Sequence, residues 1–313
     1  MTTAFLFPGQ GAQVVGMGAD VASAYPAAAG IFEKANDVLG FDLRKVCFEG
    51  PAETLNTTTM SQPAIFTTSA ALLEVIRTEP AMSGLVPQIT AGLSMGEYTA
   101  LYAAGLISFE DGLRLVHKRG EAMQAAADAT RGAMVSVMGL DEEKVRVLCR
   151  EAAQGDLLEP VNFNCPGQIV VSGTVPSCER VMELAPQHGA LKAIRLEVAG
   201  AFHTAMMAGA ADALRRALSA CQIGEPGEIK TLANIDAEYY PSAASIVEGL
   251  ARQLTSPILW ARCMQRLLAE GVDELFEIGP NRVLTGLMKR IDRKAKVVNL
   301  STADSIEALL KGV

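Results

Sequence analysis

The chain has 313 residues, half of them hydrophobic and a fifth charged, with a formal net charge of −8. That much apolar material fills one large core, with room for a smaller appended domain. The acidic balance argues against nucleic acid as a partner, because phosphate contacts need surplus Lys and Arg. Six cysteines, at 47, 149, 165, 178, 221 and 263, form no C-x-x-C pair, and only three histidines are present. No metal site is therefore expected, and the thiols read as reduced and buried. No Lys or Arg precedes Lys34, unlike the basic start of a signal peptide, and no apolar run nears the roughly 18 residues that cross a bilayer. The expectation is a cytoplasmic protein with no membrane contact.

Ala4-Phe5-Leu6-Phe7, stopped by Pro8-Gly9, has the pattern of a buried strand entering a sharp turn. The glycines that follow let backbone approach a ligand closely. A nucleotide loop is excluded: Gly9-x-Gly11 lacks the third glycine of G-x-G-x-x-G, and Gly16 precedes Met17 rather than the Lys of a P-loop. Either the loop lends the Gln10 backbone N–H as an oxyanion donor, or it is a plain strand-to-helix turn. From the sequence alone the plain turn is the stronger reading.

Gln88 to Ala91 is a second apolar run. It delivers the chain into Gly92-Leu93-Ser94-Met95-Gly96, and a helix-forming run from Glu97 to Ala104 closes at Gly105. Strand, tight turn and helix are the context a nucleophile elbow requires, with Ser94 at a helix N-terminus whose free N–H groups stabilise negative charge. The bland alternative is a serine in a glycine-rich turn; the flanking strand and helix favour a nucleophile. Ser108, with Asp111 three residues on, opens the next helix as a capping-box-like signal. Arg119 lies on that helix, where periodicity alone reads as a solvated face.

Residues 128–197 read as an inserted module. Ala133 to Met138 is a strand and Asp141 to Ala153 a helix. Pro160 to Asn164 and Gly167 to Gly173 are strands either side of Cys165-Pro166. Ser177 to His188 is a helix closed by Gly189, and Leu191 to Val198 a last strand. The order β-α-β-β-α-β is that of a ferredoxin-like fold. Around it, runs at Ile229 to Ala233, Glu274 to Ile278 and Val297 to Leu300 alternate with helical periods such as Ala211, Leu214 and Leu218, giving an α/β layer architecture.

A serine nucleophile needs a base. His188 precedes Gly189 at a helix end, where a surface or capping role fits better. His117 lies mid-helix beside Lys118 and Arg119, with no turn to aim it. His203, in Gly200-Ala201-Phe202-His203-Thr204, sits between a strand and an apolar helix, where catalytic side chains are displayed. Elimination favours His203 over the other reading, a buried structural histidine. No Asp or Glu can be assigned to it by spacing, so a backbone carbonyl remains an alternative orienter.

With these residues in hand, the sequence resembles the malonyl-CoA:acyl carrier protein transacylases, a family shared by type II fatty acid synthesis and the acyltransferase domains of polyketide synthases. The likeness runs through Phe7 to Gln13, Ser61-Gln62-Pro63-Ala64, Gly92 to Ala100, Lys118-Arg119-Gly120, Asn162 to Gln168, Ala201-Phe202-His203, Arg252-Gln253-Leu254 and Gly279-Pro280. It implies an α/β-hydrolase-like large domain (1–127 and 198–313) with a ferredoxin-like insertion (128–197). It further implies ping-pong transfer of malonyl from malonyl-CoA to acyl carrier protein, without a cofactor, through an ester on Ser94 with His203 as base. Gln10 and Met95 would supply the oxyanion N–H groups, the Gln253 main-chain carbonyl would orient His203, and Arg119 would grip the malonyl carboxylate. Gln62 resembles a further pocket residue, and Phe202 matches the bulky residue of malonyl-selective members. One departure stands out: the family usually has His before the nucleophile, where this chain has Leu93. The densest basic segment, Lys289 to Lys296, is a candidate dock for an acidic carrier protein, though a charge run also suits a plain solvated face. The rivals are a serine esterase or thioesterase, against which Arg119 argues, and a degenerate scaffold that binds carrier protein without reacting.

Overall fold

The computed structural model describes residues 2–312; Met1 and Val313, the two ends of the expected large domain, lie outside the described residues. Strand β1 (Thr3–Phe7) is buried along its whole length. Its side chains alternate between two cores, Phe5 and Phe7 entering one apolar cluster and Ala4 and Leu6 another. A strand buried on both faces belongs inside a parallel sheet. Its neighbours are β2 (Ile89–Gly92) and β8 (Glu274–Ile278), with Ala4 opposite Ile89 on one side and Leu275 on the other. With β7 (Lys230–Thr231) and β9 (Val297–Leu300) they form a parallel sheet of order β7-β2-β1-β8-β9. Helices Thr58–Thr78 and Phe109–Thr130 cover the Phe5/Phe7 face, and helices Trp260–Ala269 and Val283–Ile291 the Ala4/Leu6 face. The strand expected over Ile229 to Ala233 pairs with β2 only as Lys230–Thr231. Beyond Thr231 the chain folds back on itself, with Leu232 bridging Tyr239 and the Ala233 N–H donating to Glu238 O at 2.8 Å.

The antiparallel sheet consists of β3 (Gly132–Met138), β4 (Leu158–Cys165), β5 (Gln168–Thr174) and β6 (Lys192–Arg195), in order β4-β5-β3-β6. Helix Glu142–Ala153 joins β3 to β4 and helix Val175–Leu184 joins β5 to β6, so the order β-α-β-β-α-β is that of a ferredoxin-like fold. Ala133, Val135 and Val137 face these two helices, while Met134, Val161 and Val170 on the opposite face pack into the large core. The second helix runs earlier than the expected Ser177 to His188. Thr174 Oγ1 caps it by accepting from Ser177 N at 3.3 Å, and Pro176 is tolerated in the first turn. Ala185 keeps helical angles and donates to Val181 O, and Pro186, with no N–H to continue the ladder, ends it. The last strand is likewise shorter than Leu191 to Val198: Leu196 makes a final bond to β3, its N–H to Met134 O at 2.9 Å, and Glu197 and Val198 continue past the ladder to line a cavity. The edge strand β4 is tied to the rest of the chain through Ile258, which donates to Val161 O at 2.7 Å and accepts from Phe163 N at 2.9 Å.

Five of the six free cysteines are buried as expected; Cys221 is half-buried instead. Among the described residues no helix is long and apolar enough to cross a membrane.

Candidate active site

The turn between β2 and helix Gly96–Ala103 holds Ser94 at φ +52°, a left-handed conformation that costs a non-glycine residue about 1–3 kcal/mol unless its surroundings impose it. They do. A Cβ on Gly92 would fall 2.0 Å from Gly96 C, and one on Gly96 2.3 Å from Phe7 O, so strand, turn and helix meet at distances only glycine allows. Asn234, just past β7, locks the turn from the side: its Oδ1 accepts from Ser94 N at 2.7 Å and its Nδ2 donates to Gly92 O at 2.8 Å.

His203 is 3% exposed and its Nε2 lies 3.0 Å from Ser94 Oγ. Its Nδ1 lies 2.8 Å from the Gln253 main-chain oxygen. A carbonyl only accepts, so Nδ1 carries the proton and Nε2 presents its lone pair to the serine hydroxyl. Burial, and then the nearby Arg119 charge, push the imidazole pKa down to about 3 against the opposing pull of the Gln253 carbonyl. The ring is therefore neutral, and able to accept a proton, throughout the neutral range.

Arg119 is 1% exposed, which overturns the solvated face suggested by periodicity. Helix Phe109–Thr130 crosses helix Thr58–Thr78 at Gly120, where a Cβ would come 2.7 Å from Thr58 O. That approach brings Arg119 Nη1 within 2.9 Å of Gln62 Oε1. Its Nη2 donates at 3.0 Å to both Ser94 Oγ and Gln253 Oε1, while Nε is buried with no partner among the described residues. Burial lowers the guanidinium pKa, but an arginine keeps its charge in a protein. Because Arg119 donates into Ser94 Oγ, the hydroxyl proton points to His203.

These groups open on a cavity of about 340 Å³ lined by Gly9, Gln10, Leu93, Met134, Asn162 and Phe202 as well as Ser94, Arg119 and His203. Gly9 lies against the elbow, since its Cβ would be 2.3 Å from Leu93 O. Among the described residues, the amides of Gln10 and Met95 donate to no other protein group. The Met95 side chain is buried in the large core, so it offers the site its backbone only. Phe202 is both core and cavity wall. His188 instead meets Glu151 at 2.9 Å, and His117 lies half-buried against Phe41. Among the described residues no cluster of His, Cys, Asp and Glu could hold a metal ion.

A serine bonded to a neutral imidazole beside a buried cation is a site for acyl transfer onto and off an oxygen. The acyl transferase domain family matches residues 4–308. The malonyl CoA-acyl carrier protein transacylase of Bacillus subtilis is 43% identical over 309 residues, covering 98% of this chain and 96% of that protein. The chain belongs to this family. Its counterpart in Escherichia coli K12 is 42% identical over 92% of each chain. The transacylase structure from Coxiella burnetii superposes with a TM-score of 0.94 at 34% identity, covering 99% of this chain and 97% of that one. A malonyl-transacylase solved with the acyl carrier protein of a type II polyketide synthase gives 0.95 at 39% identity, covering all of both chains.

Ser94, His203, Arg119, Gln62 and Gln253 thus form one hydrogen-bonded chain, with Gln10, Met95 and Phe202 around it. Sequence reasoning missed Asn234, Glu97 and Tyr240. A signal existed for two of them: Asn234 follows a parallel strand at its carboxyl end, where ligand sites form, and Glu97 opens a helix otherwise made of small and apolar residues with no partner in sequence for its charge.

Proposed function

We propose that the chain transfers malonyl from malonyl-CoA to the phosphopantetheine thiol of acyl carrier protein, by a ping-pong mechanism through malonyl-Ser94. One observation carries the reading: Ser94 Oγ lies 3.0 Å from a neutral imidazole nitrogen and 3.0 Å from a buried guanidinium. The first activates the hydroxyl, and the second gives an acyl group bearing a carboxylate its place.

Ser94 Oγ attacks the thioester carbonyl as its proton passes to His203 Nε2. The oxyanion is held by the Gln10 and Met95 N–H groups. The C–S bond then breaks and the coenzyme A sulfur takes the proton from His203, leaving malonyl on Oγ. In the second half the carrier thiol gives its proton to His203, its sulfur attacks the ester, and Ser94 Oγ departs with that proton. The Gln253 carbonyl holds the ring through both halves, Gln62 holds Arg119 on the malonyl carboxylate, and Phe202 bounds the space beside the acyl group. No cofactor takes part.

The reading includes a cytoplasmic location, which suits six unpaired thiols, and the division into 1–127 with 198–313 and 128–197. The carrier protein docks on the segment from Lys289 to Lys296. Lys289, Arg290 and Arg293 line a surface hollow of about 410 Å³ with Pro166 and Gly286. Arg290 also donates to Gln168 Oε1 at 2.7 Å and Gly167 O at 3.2 Å, tying that helix to the β4–β5 turn. Asn162 of β4 lines the reaction cavity, and Pro166 is four residues on, at most about 13 Å of extended chain, so dock and cavity share one hairpin.

Intact mass after mixing with malonyl-CoA tests the reading. A malonyl adduct that holo carrier protein discharges is expected, absent in Ser94→Ala. Release of free malonate without an adduct would mean a hydrolase, and no reaction at all a scaffold.

A further inference from the structure

Behind the reacting groups lies a carboxylate with no role so far. Glu97 is fully buried in the first turn of helix Gly96–Ala103. Its Oε1 accepts from the Tyr240 hydroxyl, and its Oε2 accepts from Asn234 N at 3.0 Å and from Gln253 Nε2 at 2.9 Å. Burial pushes its pKa up to about 7 despite these donors and the Arg119 charge. A buried acid is a standing cost in stability, so its partners are the place to look for its use.

Gln253 is the common neighbour of everything that reacts. Its main-chain oxygen accepts from His203 Nδ1 at 2.8 Å, its Oε1 accepts from Arg119 at 3.0 Å, and its Nε2 donates to Ser94 O at 3.1 Å as well as to Glu97. It is also the last residue of helix Ala243–Gln253, where the backbone frays unless tied down. Asn234, whose amide Glu97 also holds, bonds the Ser94 N–H at 2.7 Å. One carboxylate therefore grips both residues that hold nucleophile, base and clamp.

We propose that Glu97 is a positioning residue for acyl transfer: by tethering the Gln253 side chain and the Asn234 amide, it fixes His203 and Arg119 relative to Ser94. The inference rests on the malonyl-transfer reading above. A carboxylate serving only as counter-charge to Arg119 makes the opposite demand, for charge rather than reach, and two substitutions separate them. Glu97→Asp keeps the charge but withdraws the oxygens by one C–C bond, about 1.5 Å. Glu97→Gln keeps the reach, its amide oxygen accepting from Asn234 and Gln253 and its NH₂ donating to Tyr240.

The experiment measures the Ser94 acylation rate by quenched intact mass at saturating malonyl-CoA and acetyl-CoA, with Tm for each variant. Misplacement by about 1 Å costs on the order of 10²-fold, so Glu97→Asp is expected to slow acylation roughly 10- to 100-fold. Because Arg119 shares the tether, the malonyl:acetyl rate ratio falls with it. Glu97→Gln is expected to stay within about 5-fold of the parent in rate and ratio, its reach intact. A fast Glu97→Asp beside a slow Glu97→Gln overturns the proposal in favour of a counter-charge. A lowered Tm with unchanged rates in both overturns it in favour of packing. Should Glu97→Asp not fold, Glu97→Met, of similar length but unable to accept these bonds, replaces it: a folded Glu97→Met slowed roughly 10-fold or more beside a parent-like Glu97→Gln supports the tether, and parent-like rates in both refute it. If the parent chain itself forms no malonyl adduct, the function reading has failed rather than the tether.

Discussion

Arg119→Ala tests the link between the buried guanidinium and the choice of acyl group. A malonyl carboxylate taking two charge-assisted hydrogen bonds from Arg119 gains roughly 1.5–3 kcal/mol from each. Their loss is therefore worth about 3–6 kcal/mol, or on the order of 10²- to 10⁴-fold in acylation rate at 1.36 kcal/mol per tenfold. Acetyl has no carboxylate and loses none of this. Its rate responds to two smaller changes: Ser94 Oγ loses the 3.0 Å bond from Nη2, and His203 becomes more basic once the second cause of its lowered pKa is removed. The acetyl rate is expected to stay within about 5-fold, so the malonyl:acetyl ratio collapses. The cavity and the bereft Oε1 atoms of Gln62 and Gln253 cost stability, roughly 1–3 kcal/mol per unsatisfied acceptor, so each variant is melted before it is assayed. Arg119→Lys, which keeps a cation but loses the planar fork, should fall between the two. Acylation by both thioesters is followed by intact mass under single-turnover conditions. Equal losses for malonyl and acetyl in folded protein would refute the carboxylate clamp.

Acid stability reports on His203. Its folded pKa of about 3 lies below the ordinary 6.5, so its neutral form contributes stability that is complete above pH 6.5. That contribution is lost as pH falls toward 3, because only the unfolded chain takes up the proton. Between pH 6.5 and 5 it amounts to about 2 kcal/mol. Glu97, raised from 4.5 to about 7, acts with the opposite sign, its contribution being lost as pH rises from 4.5 through 7. Comparing Tm of parent and His203→Gln at both pH values isolates the histidine: the parent should lose more on acidification, and parallel shifts would contradict a buried neutral ring. Phe202→Ser should raise methylmalonyl relative to malonyl acylation by about 10-fold or more, the scale of one methyl group in a tight pocket, at a stability cost of about 3–5 kcal/mol; an unchanged ratio would leave Phe202 as core alone. Reversing charge at Arg293 and Lys294 should raise KM for carrier protein about 10-fold at low salt and leave that for malonyl-CoA alone, since rim charges steer encounter; no change would remove this docking face.

The layers were legible because local pattern and global fold agree. β1 reads as a continuous apolar run because both its faces are covered, and β3 to β6 carry strand and helix signals in ferredoxin order. Element ends were less so. Thr174 and Pro176 start a helix two residues before Ser177, and Glu197 and Val198 run past the end of their strand to the cavity, a tertiary effect with no local signature. At the site, Ser94 and His203 carry signals of their own, a glycine-framed turn and a scarcity of alternatives. Arg119 does not: helical period cannot distinguish a face turned to water from one turned into a wet cleft between helices. Its burial follows from the close crossing at Gly120, which joins residues about 60 positions apart in sequence. Glu97 and Asn234 escape for a similar reason, since their partners Gln253, Tyr240 and Ser94 lie more than 100 positions away.

The resemblance sets a histidine at the position before the nucleophile, where this chain has Leu93, and the surroundings of that residue show what a leucine does there. The backbone of Leu93 does the structural work, donating to Phe7 O at 3.0 Å and accepting from Gly96 N at 2.9 Å, bonds that any residue but proline can make. Its side chain is 8% exposed. It packs in the cluster that holds Cys165 and Ile258 while also lining the cavity. Ile258 is the residue that pairs with β4 on both sides of Asn162, so Leu93 occupies the seam where the two sheets meet beside the nucleophile. An imidazole there would put a polar group against that apolar seam and need a partner. A leucine needs none, and it leaves the hydrogen bonds of Ser94 to His203, Arg119 and Asn234 untouched. A leucine at this position therefore bears on the cavity wall, while the groups proposed to move the proton and to bind the carboxylate, His203 and Arg119, keep their bonds to Ser94.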